Sequence, residues 1–354
     1  PKRYSRQTRE WDWSDEHLRA QAALIREARI RGVTMVMASP WSPPAWMKTN
    51  GKTQKGGSLK AECYADYARY LLAYVKGMKE QFGVDIDVLS LQNESDETKK
   101  WECCKWTARD QTRFLRDYIG PLKTKWALDV RLLANEATEW DAQFKSWILT
   151  MLNDPQAAPY LDIVGGHRYR KPAASAFPEV WQAGKRLWMT EYYWEGKGPL
   201  YLQNARVIHN FMVKAQVNAY LFWWLFARPD KSTRARLILF DEKAGTFSIH
   251  KHAYALGQYS RFIRPGYHRV DVKGRLPDDL LVSAYREPAG SRVVVVAVNL
   301  GADRSISIEI DGVEGLHWRT WQTSRTENMT RRDDVKPETM FLQKETIVTL
   351  VGEP

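Results

Sequence analysis

Cysteine is scarce in this chain: three residues, Cys63, Cys103 and Cys104, among 354. One disulfide at most is possible, adjacent cysteines rarely pair, and no zinc-ligand spacing is present, so neither a disulfide framework nor a zinc module is built from them. No run of eighteen apolar residues exists, which excludes a membrane-spanning helix, and no membrane partner is expected. The opening PKRYSRQTREWDW holds no apolar stretch of the kind that forms a secretory signal. A glycine-rich phosphate loop is also missing, which argues against a doubly wound nucleotide-binding sheet. His250 and His252 stand two apart on an expected helix and face different ways, so they form no metal pair. No cofactor and no metal are expected.

What is abundant is aromatic side chain and positive charge. There are 16 Trp and 16 Tyr, several beside Gly, Pro or carboxylates. Core packing accounts for most of them; the remainder suit sugar rings, whose C–H faces stack on aromatics. Lys and Arg total 53 against 42 Asp and Glu, a net charge of +11. Such a balance attracts polyanions, acidic polysaccharide among them. The charges are scattered and no recognition motif accompanies them, so nucleic acid is not an expected partner.

Along the chain, helical and strand patterns alternate. Residues 14–31 have a helical period, with Ser14 as the expected cap and Gly32 as the stop. Expected strands follow at 33–39, 86–94, 130–136, 161–167, 186–192 and 219–224. Between and after them, helices are expected at 61–82, 107–119 (Thr107 opening it, Asp110 three residues on), 140–152, 177–183, 200–215 and 250–263. Nearly continuous apolar strands alternating with helices predict a parallel sheet covered on its outer face, an α/β TIM (β/α)8-type barrel. The strands end in Ser39, Glu94, Glu136, His167, Glu191 and Trp224, and strand C-termini are where such barrels keep their chemistry. From about 267 the period becomes two, as at 280–285, 292–300, 305–310 and 346–351. Two domains are therefore expected: the barrel over 1–265 and an antiparallel β-sandwich side domain over 266–354.

Glu94 and Glu191 close different strands. Hydrolysis of a glycosidic bond with retention needs such a pair, one to protonate the leaving oxygen and one to attack the anomeric carbon, at roughly 5–5.5 Å separation. Any barrel has some glutamate at its strand ends, so the pair alone is moderate evidence. The surrounding segments ASPWSPPAWMKTNG (38–51), LSLQNES (89–95), WMTEYY (188–193) and YSRFIRPG (259–266) together resemble glycoside hydrolase family 30, from about residue 11 to the C-terminus. The resemblance implies that Glu94 is the acid/base and Glu191 the nucleophile. It also implies that the six strands are the third to eighth of the barrel, the first two being absent from the chain.

Within the family, GGHRY (165–169), AGKRLWMTEY (183–192) and WECCKW (101–106) are similar to the bacterial glucuronoxylan endoxylanases. That resemblance implies an endo-β-1,4-xylanase acting on plant cell-wall polysaccharide, secreted or periplasmic, with Arg228 holding a substrate uronate through paired N–H···O bonds. Three departures stand against the pattern: Leu225 and Asp230 replace two tyrosines, Gly196 replaces a serine, and Ser95 replaces the proline after the acid/base and loosens that turn. Asp230 would repel a carboxylate; Arg234 and Arg236 are the candidates to compensate. Trp46, Asn93, His167, Tyr169 and Trp224 complete the expected substrate-binding set, with Asn93 placed to bond a sugar 2-hydroxyl. Glu136 is expected to support the site rather than to catalyse. Two other functions compete: an endo-β-1,6-galactanase or β-1,6-glucanase, and a non-catalytic carbohydrate-binding protein. A barrel short of two strands exposes two edges, so a partner segment, a second copy or residues 1–13 is expected to complete it.

Overall fold

A computed structural model describes residues 3–169, 175–193, 196–227, 236–312, 315–332 and 336–354. It divides into two compact units: residues 1–191 with 216–220, and residues 192–215 with 221–354.

The first unit opens with a short hairpin, bridged between Tyr4 and Trp11. Trp11 stacks on Tyr70 at 4.6 Å and donates its indole N–H to the Tyr70 carbonyl at 3.1 Å. The helices are α1 (Glu16–Ile30), α2 (Tyr64–Phe82), α3 (Ala108–Phe114), α4 (Gly120–Lys125), α5 (Ala142–Leu152) and α6 (Pro178–Gln182). Local chemistry sets their ends. Asp15, not the expected Ser14, caps α1, because its carboxylate accepts from the N–H groups of His17 and Leu18 while the Ser14 hydroxyl bonds Asp12. Thr107 and Asp110 form a reciprocal capping box on α3. Gly83, at φ 65°, closes α2 in the left-handed conformation that costs other residues more. Tyr67, Leu71, Val75 and Met78 lie buried on one face of α2. Its interior Gly77 is required by close approach: a Cβ there would lie 1.8 Å from the Trp13 ring.

The sheet runs β1 (Met37–Ala38), β2 (Val88–Ser90), β3 (Arg131–Ala137), β4 (Ile163–His167), β5 (Arg186–Tyr192) and β6 (Ala219–Phe222), in that order. The neighbouring pairs from β1 to β5 are parallel. The strands are shorter than their apolar runs, because ladder pairing holds for only part of each run: two residues of 33–39, where Val33 and Thr34 are exposed, and three of 86–94. Two register shifts interrupt the ladder near its C-terminal ends, between Asn135 and Ala137 and between Gly166 and His167. Among the described residues the N-terminal hairpin pairs with no strand of this sheet and packs instead on α2.

The second unit contains α7 (Leu200–Asn210), β7 (Phe226–Ala227), β8 (Ile238–Asp241), β9 (Thr246–Ile249) and α8 (Lys251–Ser260). A six-stranded antiparallel sheet follows, made of β10 (His268–Val270), β11 (Leu280–Arg286), β12 (Val293–Asn299), β14 (His317–Thr323), β15 (Thr330–Arg332) and β17 (Thr346–Glu353), ordered β10-β11-β12-β17-β14-β15. β13 (Arg304–Ile306) and β16 (Met340–Leu342) pair separately. All seven residues of β12 are buried, and Leu280, Val295, Leu342 and Leu350 belong to one apolar cluster. The Thr349 hydroxyl donates to the Gln258 carbonyl of α8 at 2.8 Å. The antiparallel C-terminal sheet is thus present. The three-stranded β7-β8-β9 sheet was not expected from the sequence.

Candidate active site

Four strand ends of the first unit converge on one buried polar cluster. Glu94 lies just after β2, Glu136 ends β3, His167 ends β4 and Glu191 lies near the end of β5. Glu94, Asn135 and Glu136 take φ of 44°, 76° and 41°, a region that costs a side-chain-bearing residue of order 1–3 kcal/mol. Asn135 is held there by its neighbours. Its N–H donates to the Gln111 side chain at 2.9 Å, its side-chain amide donates to the Phe144 carbonyl at 3.1 Å, and its carbonyl accepts from the Ser95 hydroxyl at 2.6 Å. The register shifts after Asn135 and Gly166 change which side chains face inward, and so turn Glu136 and His167 into the cluster.

His167 is fully buried among three carboxylates. Its Nδ1 lies 3.5 Å from Glu94 Oε1 and 3.8 Å from Glu191 Oε1, and its Nε2 lies 3.6 Å from Glu136 Oε1. Burial pushes the imidazole towards the neutral form, but the charges of Glu191, Glu136 and Glu94 outweigh it and raise its pKa to about 10. The ring is therefore an imidazolium at neutral pH. Among the described residues, Glu94, His167 and Glu191 form the one trio of His and carboxylate groups close enough to share a metal ion, their atoms within 4.8 Å of one another.

The two glutamates are held differently. Burial disfavours the ionised form of Glu94, yet His167 and Lys99 outweigh that and hold its pKa below the ordinary glutamate value. Burial prevails at Glu191: together with the charges of Glu94 and Glu136, it lifts the pKa despite His167 and the hydrogen bond from Tyr169. That bond, from the Tyr169 hydroxyl to Glu191 Oε1, is 2.6 Å long. Glu136 accepts from the hydroxyls of Ser39, at 2.7 Å, and Ser90, and so stands behind His167.

Of the residues singled out from the sequence, Glu94, His167, Tyr169 and Glu191 come together. Asn93 adjoins Glu94, buried, its N–H donating to the Pro40 carbonyl at 2.9 Å. The Trp46 ring is already engaged, with the guanidinium carbons of Arg9 and Arg6 at 4.4 and 5.5 Å from its centroid. Trp224 belongs to the second unit, where its carbonyl accepts from Leu237 N–H. Arg228, Asp230 and Arg234 lie outside the described residues. Arg236 is buried, and its carbonyl contacts His252 Nε2 at 2.6 Å. Ser95, in the turn expected to be loosened, donates its hydroxyl to the Asn135 carbonyl of β3 at 2.6 Å, a bond that proline has no donor to make. Lys99, 3.4 Å from Glu94 Oε2, and the Ser90 anchor of Glu136 were missed. Neither carries a periodic signal, although Lys99 lies in the polar stretch that directly follows the QNE triplet.

Residues 4–184 match the family described as the glycosyl hydrolase family 30 TIM-barrel domain. Glucuronoxylanase XynC of Bacillus subtilis (strain 168) is 31% identical over 320 residues, covering 86% of this chain and 69% of that protein. The family 30 subfamily 8 xylanase Xyn30A from Clostridium acetobutylicum superposes with a TM-score of 0.84 at 31% identity, over 97% of this chain and 85% of the other. A family 30 endoxylanase from Clostridium papyrosolvens C71 gives 0.80 at 30% identity, over the same shares.

Proposed function

The chain belongs to glycosyl hydrolase family 30, and on that premise we propose that it cleaves β-1,4-xylan, in particular glucuronoxylan, with retention of anomeric configuration. It is a glycosyl hydrolase. The observation that carries the retaining reading is the approach of the two glutamates, whose nearest oxygens lie within 4.8 Å. That suits the roughly 5–5.5 Å between carboxyl groups of a double displacement better than the about 6.5–9.5 Å of an inverting enzyme.

In this reading Glu191, its Oε1 held by Tyr169, attacks the anomeric carbon while Glu94 gives a proton to the departing oxygen. Glu94, now ionised, then takes a proton from water, and that water displaces Glu191 from the sugar. His167 keeps one positive charge among three carboxylates throughout, and Asn93 is assigned to the 2-hydroxyl. Trp46, Trp224 and Arg228 are assigned to substrate, Arg228 to a uronate. The catalytic barrel is assigned to 1–265 and a β-sandwich side domain to 266–354. A second copy or a partner segment is assigned to the edges of the six-stranded sheet, which mass measurement in solution checks. The expected location is secreted or periplasmic.

The names of the similar proteins favour xylan over the β-1,6-linked glucan and galactan readings and over a non-catalytic role. The deciding experiment measures reducing ends released from glucuronoxylan, unsubstituted xylan, a β-1,6-glucan and an arabinogalactan. Release from glucuronoxylan that is abolished in Glu191→Gln is expected. Release from the β-1,6-glucan alone, or xylan binding without release in the unaltered chain, overturns the proposal.

A further inference from the structure

We infer that Lys99 is a positioning residue that keeps Glu94 in its carboxylate form, favouring its work as a base over its work as an acid. The inference rests on the acid/base reading of Glu94. Lys99 Nζ lies 3.4 Å from Glu94 Oε2, with the two side chains 12% and 6% exposed, so water screens the pair little.

A lysine on an irregular loop needs restraint to hold such a place, because its side chain loses much freedom there. The restraint comes from the backbone. Lys99 N–H donates to Cys103 Sγ at 3.3 Å, the Cys103 thiol donates to the Lys99 carbonyl at 3.5 Å, and Lys55 N–H donates to that same carbonyl at 3.1 Å. Gly56 N–H donates to the same sulfur at 3.1 Å. The Trp101 ring, 5.7 Å from Nζ, adds a cation–π contact. Two loops are thus clipped together around one sulfur, and the ammonium projects from the clip onto Glu94.

Among the described residues, the other charged or titratable groups shown around Glu94 are His167 and Glu191, with Glu136 beyond the imidazolium and Tyr169 on Glu191. His167 is shared among three carboxylates, whereas Lys99 bears on Glu94. The first chemical step needs a proton on Glu94 and none on Glu191, and an ammonium beside Glu94 opposes that arrangement. The second step needs Glu94 ionised, and the same ammonium favours it. A burial-raised Glu191 and a cation-lowered Glu94 in the resting site agree with this direction.

The test is the pH profile of kcat/KM, whose limbs report the free enzyme. In Lys99→Met and Lys99→Gln the limb at which activity on xylooligosaccharides falls with rising pH should move up by about one unit, as expected for loss of a neighbouring cation. Well above the wild-type limb this is a gain of up to about tenfold in a variant that has lost a side chain. Lys99→Arg should keep the wild-type limb. An aryl xyloside with an activated leaving group needs little protonation, and its profile should stay in place. Unmoved limbs in both neutral variants, with thermal unfolding unchanged, overturn the inference. Glu94→Gln distinguishes the two failures. If it still cleaves xylooligosaccharides at the wild-type rate, the acid/base reading is wrong. If it does not, and the Lys99 limbs stay put, only the role of Lys99 is wrong.

Discussion

The strand ends of the first unit and the central strands of the second solve opposite problems. In the C-terminal sheet, β11, β12 and β17 pair without a break from Leu280–Asn299 to Val293–Gly352, and β12 buries all seven of its residues. Most positions repeat the same solution, a ladder bond plus apolar burial worth roughly 25 cal/mol per Å². At the site the ladder shifts twice, three non-glycine residues near the strand ends sit at positive φ, and three buried carboxylates face one imidazolium. The groups there are held by particular partners, by hydrogen bonds to Glu136 and Glu191 and by charge at His167. Regularity stabilises; it cannot aim four side chains at one point. The register shifts of the barrel fall in the last residues of its strands, where chemistry needs them.

The sharpest way to break this contrast is to neutralise the site. Glu191→Gln should lower hydrolysis of every substrate by on the order of a thousandfold or more, since each turnover uses the nucleophile. Glu94→Gln should lose a comparable factor on xylan but spare activated aryl glycosides; equal loss on both would unseat the role assignment. Glu191→Gln, which removes a charge that burial disfavours, should unfold at or above the wild-type temperature, whereas Glu94→Gln, which leaves Lys99 and the buried His167 without a carboxylate they stabilise, should unfold below it. In the regular sheet the reverse pattern is expected. Leu350→Ala, deleting a fully buried side chain, should cost about 2–5 kcal/mol in denaturant titration and leave kcat/KM nearly unchanged below the transition.

A smaller effect follows from His167. Its pKa is raised from 6.5 to about 10, so the stability it contributes is fully present below about pH 6.5 and is lost as pH rises through about 10. Urea midpoints of the wild type should therefore decline over that window by more than those of His167→Gln; parallel curves would show that the imidazolium does not stabilise the fold. The smallest effect expected is that of Ser95→Ala, which removes the bond to the Asn135 carbonyl at a cost of about 1 kcal/mol. If Ser95→Pro costs less than Ser95→Ala, the serine bond adds nothing over the stiffer residue it replaces.

What could be read in advance follows the range of the interaction. The capping box at Thr107 and the end of the helix expected over 61–82 are written in a few consecutive residues, and both were visible. The convergence of Glu94, His167 and Glu191 was visible because a parallel barrel brings strand ends together whatever the loops do. Strand lengths were overestimated because apolar runs report burial, whereas a strand is defined by pairing. β14, HWRTWQT, was hidden because its mixed large and charged residues break the alternation, and the β7–β9 sheet because its Phe240 and Phe247 face solvent. Lys99 was invisible for another reason: its place depends on Cys103 and Lys55, which no local pattern links to Glu94.

The Cys103 clip also makes the loop's own breathing observable. A sulfur that accepts two backbone N–H groups while buried is closed to a bulky electrophile. Alkylation then proceeds only through molecules whose loop has come undone, and its rate counts those molecules. Cys104, next to it in the same loop, should open with the clip, and Cys63, buried at the start of α2, serves as an internal clock for wider unfolding. Under native conditions the order in which the three thiols acquire label would rank how often each part of the first unit opens, without any probe being added to the chain.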